Sequence, residues 1–324
     1  MFILRNLIQS DLMKNTILIL LLSFSLSLPI VASADSPEAQ LREAALIDDV
    51  DTIRELIKQG VDVNSANRFG KTALMRAVEG GSTQSAVILI TNGADVNART
   101  VASCTALTFA AEFGHEDISA MLVEMGANVH DRTRAGWDAL MIASRQGYPV
   151  VVEQLLQFGA DVGASDRHGD TALMGAVEKG YPDVVKVLLE KGKAKLNGAN
   201  NQGITPLIRA AEKGYTEIVK SLLEHGADPN VTDSDGGTAL IWASESGNVA
   251  VASALLEYKA NPNQQDSDGI TALMEAASNG HVDIVQALLD RGADVSLKDS
   301  SGRTALQMAE KEGNDAIIKL LKAE

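Results

Sequence analysis

The sequence predicts a mostly α-helical solenoid of about nine stacked units, each a helix-turn-helix followed by a hairpin-like loop. Three observations predict it: an internal period, a polar cap at one place in every period, and glycines at fixed offsets from that cap. The triplets Thr72-Ala73-Leu74, Thr105-Ala106-Leu107, Asp138-Ala139-Leu140, Thr171-Ala172-Leu173, Thr205-Pro206-Leu207, Thr238-Ala239-Leu240, Thr271-Ala272-Leu273 and Thr304-Ala305-Leu306 are spaced by 33, 33, 33, 34, 33, 33 and 33 residues. Chance does not hold a register over eight copies. The one slip falls at Gly192-Lys193-Ala194-Lys195-Leu196-Asn197, which has one residue more than Gly93-Ala94-Asp95-Val96-Asn97. It reads as a surface-turn insertion that shifts nothing in the core.

Each period makes sense as two short helices and a turn. The Thr, or Asp138, is the N-cap of the first helix, its side-chain oxygen accepting from a first-turn amide. Ala follows as a strong helix former, and Pro206 sits where its missing N–H costs nothing. Glycines at 81, 114, 147, 180, 214, 247, 280 and 313 stop that helix. The second helix carries apolar pairs such as Leu155-Leu156 and Leu222-Leu223 and is ended by Gly at 60, 93, 126, 159, 192, 226 and 292. The unit then runs through Asp-Val-Asn or a relative into a turn with Gly at 70, 136, 169, 203, 236, 269 and 302. No layer can bury its apolar stripe alone, so stability is nearly a sum of unit and interface terms.

The T-A/P-L triplets, the Gly114-His115, Gly180-Tyr181 and Gly280-His281 turns and the Gly-Ala-Asp endings resemble the ankyrin repeat over roughly residues 36–324. The expected organisation is an export signal over 1–34, a degenerate N-terminal capping repeat over 36–67, seven central repeats over 68–301 and a truncated C-terminal capping repeat over 302–324. At roughly 8–10 Å per layer the stack should be about 80 Å long. Where the family usually places His after the triplet, this chain has Met75, Thr108, Met141, Met174, Ile208, Ile241, Met274 and Gln307, which predicts an apolar seam instead of a histidine network. Lys259 and Ser103 stand where glycine is expected, and a left-handed non-glycine residue costs roughly 1 kcal/mol.

The first segment is read apart from the fold. Lys14 precedes an apolar run from about Ile17 to Leu28, and Ala32-Ser33-Ala34 gives the small-x-small pattern of a signal peptidase site, so cleavage is expected after Ala34. Met13 is an alternative start. The run is short for a membrane span, so no membrane association is expected after cleavage. With Cys104 the sole cysteine, no internal disulfide can form, and the chain is expected to be a monomer with a minor Cys104-linked dimer at most. The formal charge of -15 argues against nucleic acid or an anionic membrane as a partner. The signal and the fold together point to the bacterial periplasm, or to secretion.

No catalytic constellation is legible. His115, His130, His168, His225 and His281 fall in differing slots, none forms H-E-x-x-H, and no Walker or dinucleotide loop occurs. Asp233-Ser234-Asp235-Gly236 and Asp266-Ser267-Asp268-Gly269 faintly suggest calcium but lack the twelve-residue arrangement and its closing Glu. The sequence therefore predicts no enzyme, no cofactor and no metal.

The resemblance implies recognition on the concave side, formed by first helices and hairpin tips. By register, the slot seven residues after the cap holds Glu79, Glu112, Arg145, Glu178, Glu212 and Glu245, then Ser278 and Lys311. Five carboxylates in series make a negative ladder that a basic partner surface would complement. The slot four after the cap varies, with Arg76, Phe109, Arg209 and Trp242 as binding candidates beside Ile142, Gly175, Glu275 and Met308. Phe113 adjoins Glu112, and Trp137 is expected exposed at a loop tip, because Trp and Tyr are frequent interface anchors. The expected function is a protein-protein interaction scaffold. Its likeness to exported bacterial ankyrin-repeat proteins associated with oxidant resistance implies work beside a periplasmic enzyme or in oxidative-stress defence. The alternatives are a secreted factor binding a host or competitor protein, a cytosolic scaffold if 1–34 is retained, and an enzyme with an unfamiliar site.

Overall fold

The computed structural model describes residues 36–323. The export signal expected over 1–34 lies outside them. Eighteen helices form nine antiparallel pairs among the described residues. They are α1 (Pro37–Leu46), α2 (Val50–Lys58), α3 (Ala73–Glu79), α4 (Thr83–Thr91), α5 (Ala106–Phe113), α6 (Glu116–Glu124), α7 (Ala139–Gln146), α8 (Pro149–Gln157) and α9 (Ala172–Lys179). Then come α10 (Pro182–Glu190), α11 (Pro206–Glu212), α12 (Thr216–Glu224), α13 (Ala239–Glu245), α14 (Val249–Glu257), α15 (Ala272–Ser278), α16 (Val282–Leu289), α17 (Ala305–Glu312) and α18 (Asp315–Leu321). Odd helices pack on the odd helices of neighbouring units and even on even. Each element therefore touches its own partner and the next layer, as a solenoid requires.

The caps predicted from the triplets form. Thr72 accepts from the Met75 amide, Asp138 from Met141 at 2.9 Å, and Thr205, Thr238, Thr271 and Thr304 from the third residue of their helices. The core is built from Ala and Leu of each triplet and the apolar stripe of each second helix. Met75, Met141, Met174, Ile208, Ile241 and Met274 are buried with them, so the apolar seam forms, while Gln307 of the last unit is exposed.

The residue opening each second helix serves the layer before it. The rings of His115, Tyr148, Tyr181, Tyr215 and His281 lie over the helix-stopping glycines of the preceding units; a Cβ on Gly147 would stand 2.9 Å from the Tyr181 ring. His281 places Nε2 3.2 Å from the Glu245 carbonyl. Asn248 and Asn314 donate to the Ala211 and Ala277 carbonyls at 3.2 and 3.1 Å. His115 and His281 are thus parts of layer packing.

Lys259 and Ser103 do take left-handed backbone, with φ of 66° and 61°. Asp48 does so too at 59°, a departure that reading from the first triplet onward misses. Its carboxylate accepts from the Ser85 amide at 2.9 Å and the Ser85 hydroxyl at 2.6 Å, which ties the first layer to the second. The insertion corrects one expectation. Gly192 does not end its helix in a left-handed turn; Lys193 takes that position, with φ 53°. Gly192 is needed for closeness instead, because a Cβ there would stand 2.8 Å from the Leu188 carbonyl oxygen and 3.0 Å from Val162.

Candidate protein-binding face

The loops between units carry two hydrogen-bonded ladders. In the first, an Asn reaches across to the next layer: Asn64 accepts from the Asp95 amide at 2.7 Å, Asn97 from Asn128 at 2.9 Å, Asn197 from Asp228 at 3.0 Å, and Asn230 and Asn263 from Asn261 and Asp294 at 2.7 Å each. Asn64, Asn97 and Asn263 also donate back to the carbonyls of Gly93, Gly126 and Gly292. This ladder holds the loops of a chain whose triplets lack the histidine network. The Asp-Val-Asn recurrence was its visible signal. It lapses at His130 and Gly163, which occupy the Asn slot in two consecutive units.

The second ladder runs along the hairpin tips, where a backbone amide of each tip donates to the carbonyl before the turn residue of its neighbour. Val101 donates to Phe69, Arg134 to Ala102, Asn201 to His168, Ser234 to Gln202, Ser267 to Asp235 and Ser300 to Asp268, at 2.8–3.1 Å. Every tip is shaped from within by a side chain. Asp233 Oδ1 accepts from the amides of Asp235 and Gly237 at 3.0 and 2.8 Å, and Asp266 Oδ1 from those of Asp268 and Ile270 at 2.9 and 2.7 Å. The Asp-rich turns that faintly suggested calcium thus spend one oxygen on their own backbone. Among the described residues, no group of three or more His, Cys, Asp or Glu is placed to hold a metal.

The negative ladder on the first helices is not uniform. Arg76 pairs with Glu79 at 2.8 Å and with Glu43 at 3.1 Å, and Lys71 also pairs with Glu79. Arg209 pairs with Glu178 at 3.2 Å and Glu212 at 2.8 Å, and Lys213 adds a contact to Glu178 at 3.5 Å. Each such partly exposed pair contributes roughly 0–1 kcal/mol, but together they cancel charge over most of the face. Glu112 and Glu245 are exposed and make no ion pair among the described residues. Glu245 finds company in Glu275, whose slot the sequence reading separated from the carboxylate series. Burial first, and then the Glu245 charge and that of Asp266, push the Glu275 carboxyl up to about 7, although Asn279 donates to it at 3.1 Å. Partial desolvation of its carboxyl first, and then the Glu212 charge, raise Glu245 as well.

The aromatic candidates divide. Phe109 is only 7% exposed, and Lys71 Nζ stands 4.8 Å over its ring; it belongs to the core, so its place on the binding face is withdrawn. Phe113 is 44% exposed and stacks on His115 with centroids 6.0 Å apart. Trp242 is half-buried, its Nε1 donating to Asp233 Oδ2 at 2.8 Å. Trp137 corrects the expectation of an exposed tip residue: it packs against the core, donates Nε1 to Asp166 Oδ2 at 2.8 Å and lies under Arg145, 5.2 Å from the ring centroid. Sequence alone did not reveal the reason, which is that the acceptor stands on the neighbouring tip. Arg145 also lines a cavity of 260 Å³ with Glu178 and Arg209. Thus Arg76, Glu79, Arg145, Glu178, Arg209 and Glu212 form local ionic or cation-π clusters, and Glu112, Phe113 and Glu245 remain exposed on the surface.

Comparison with curated proteins returns no match. A family model described as "Ankyrin repeats (3 copies)" matches residues 41–133, 127–200, 193–266 and 258–324. With its caps, layer packing and hairpin ladders accounted for, the chain belongs to the ankyrin-repeat family.

Proposed function

We propose that this protein is a non-catalytic scaffold that binds a partner protein along its first-helix face, and that it works in the bacterial periplasm. The observation that carries the reading is the pair Glu245 and Glu275. Burial raises both carboxyls, the Glu245 charge adds to the rise at Glu275 and the Glu212 charge to that at Glu245, and among the described residues no cation lies within ion-pairing distance of either. Such an arrangement costs stability in the isolated chain, and a basic partner surface would relieve it. Asp233, Asp235, Asp266 and Asp268 on the neighbouring tips add to the same field. The export pattern over 1–34 supports the periplasm, where a scaffold of this kind would support an enzyme or a defence against oxidants.

The test combines location with charge. The protein recovered from a periplasmic fraction should begin at Asp35; a product retaining 1–34 would overturn the export reading. Wild-type protein, and not the E245K/E275K variant, should retain a specific partner from native periplasmic extract. Equal retention by both would remove these carboxylates from the interface.

A further inference from the structure

One junction along the hairpin edge differs from the rest. Between the tips at Gly136 and Gly169, the amide of Arg167 and the carbonyl of Ala135 hold the register that is bonded elsewhere, but no backbone hydrogen bond joins them. The Asn ladder lapses at the same place, because His130 fills its slot. Side chains bridge instead. Trp137 reaches Asp166, and Arg132 Nη1 donates to the Ser165 carbonyl at 2.9 Å. Beside this junction an open cleft of 550 Å³ appears, within the range of small-ligand and side-chain pockets.

The cleft is walled largely by carbon, from Ala102, Ala135, Ile142 and the Trp137 indole, with Cys104 in its lining. Val101, on the adjoining tip, is 57% exposed, and Phe69 on the tip before it 56%. Its charges are unequal. Arg134 and Arg167 stand exposed at the rim with no carboxylate partner among the described residues; Arg134 Nη2 is held by the Val101 carbonyl at 2.6 Å. Asp166 does not neutralise them at hydrogen-bonding range, since its oxygens accept from Trp137 and from the amides of His168 and Asp170 at 2.8 and 3.0 Å. Glu112 is the single carboxylate in the lining.

We propose that this cleft docks an extended segment of a partner protein carrying a bulky apolar side chain next to an acidic residue. The apolar side chain fills the carbon-walled cleft beside Trp137, where burial and an aromatic wall make an anchor. The carboxylate sits between the guanidinium groups of Arg134 and Arg167. The unjoined Ala135 carbonyl and Arg167 amide offer an extended backbone the bond that the neighbouring tip supplies at other junctions. The inference rests on the protein-binding reading above, but its chemistry is opposite in sign to that of Glu245 and Glu275, so the two can fail separately.

A phage-displayed dodecapeptide library selected on the immobilised full chain tests it. Enriched peptides should carry an aromatic or large aliphatic residue beside Asp or Glu. They should bind the R134E/R167E variant at least tenfold more weakly, bind E245K/E275K as well as wild type, and protect Cys104 from a maleimide. Both arginines are exposed, so the variant should keep the wild-type circular dichroism and melting curve. Basic peptides, or affinities indifferent to the arginine reversal, would overturn the cleft. Peptides weakened only by E245K/E275K would overturn it too while leaving the scaffold reading in place, and a library yielding no binder would count against both.

Discussion

The two tryptophans make the same hydrogen bond and do different work. Trp242 donates to Asp233, nine residues before it and on the tip of its own unit; Trp137 donates to Asp166, twenty-nine residues on and in the next unit, at the same 2.8 Å. Around Trp242 the tips are already joined by backbone bonds, and Asn230 spans the loops. Around Trp137 both ladders are interrupted. The C-terminal half is therefore held by backbone and is free to carry an uncompensated acidic surface. The middle junction is held by side chains and leaves a cleft with a basic rim.

The sharpest way to break the comparison is to remove each indole. Trp137→Ala should cost about 2–3 kcal/mol, less than full burial would imply because the ring is half-buried. Because a solenoid's cooperativity depends on its interfaces, it should also split urea unfolding into two transitions followed by circular dichroism. Trp242→Ala should destabilise without splitting the transition. A single cooperative transition for Trp137→Ala, with a split one for Trp242→Ala, would reverse the assignment.

Charge in the C-terminal half gives a smaller effect with a definite sign. Glu275 has its carboxyl raised from 4.5 to about 7, so the folded state holds a proton that the unfolded state has already lost between those values. Stability from this group therefore falls as pH rises from 4.5 to 7 and stays at its lower value above. Arg303 and Lys311 line the same cavity as Glu275 without reaching ion-pair distance. Glu275→Gln should stabilise the protein by about 1–2 kcal/mol at pH 8, allowing for solvent screening, and by nearly nothing at pH 4. Thermal melts at the two pH values measure the difference; an equal gain at both would show that the raised Glu275 carboxyl is not the cause.

The smallest change should repair the middle junction. His130→Asn restores the ladder residue found in Asn97 and should give the Asp161 amide a partner, adding about 0.5–1 kcal/mol in urea titration. It should also soften the penalty of Trp137→Ala in a double mutant. Strict additivity of the two changes would mean that the loops and the indole do not share one junction.

Much of this protein was determined by sequence because its fold is a sum of local decisions. Thr-Ala-Leu caps a helix wherever it occurs, and a cap, a stop and a stripe repeated every 33 residues leave stacking as the way to bury the stripe. Even the loss of the triplet histidine was readable, and so was the apolar seam that replaces it. Local pattern could not decide what meets across layers. Phe109 and Trp242 share one slot, yet Phe109 is buried under Lys71 while Trp242 stays half-exposed. The regular row of carboxylates is interrupted because Arg76 and Arg209 reach sideways to Glu43 and Glu178 in neighbouring units. Trp137 turns inward because its acceptor lies one layer away. Spacing along the chain specifies each layer, whereas charge, exposure and the open junction depend on distances between layers, which only the stacked structure supplies.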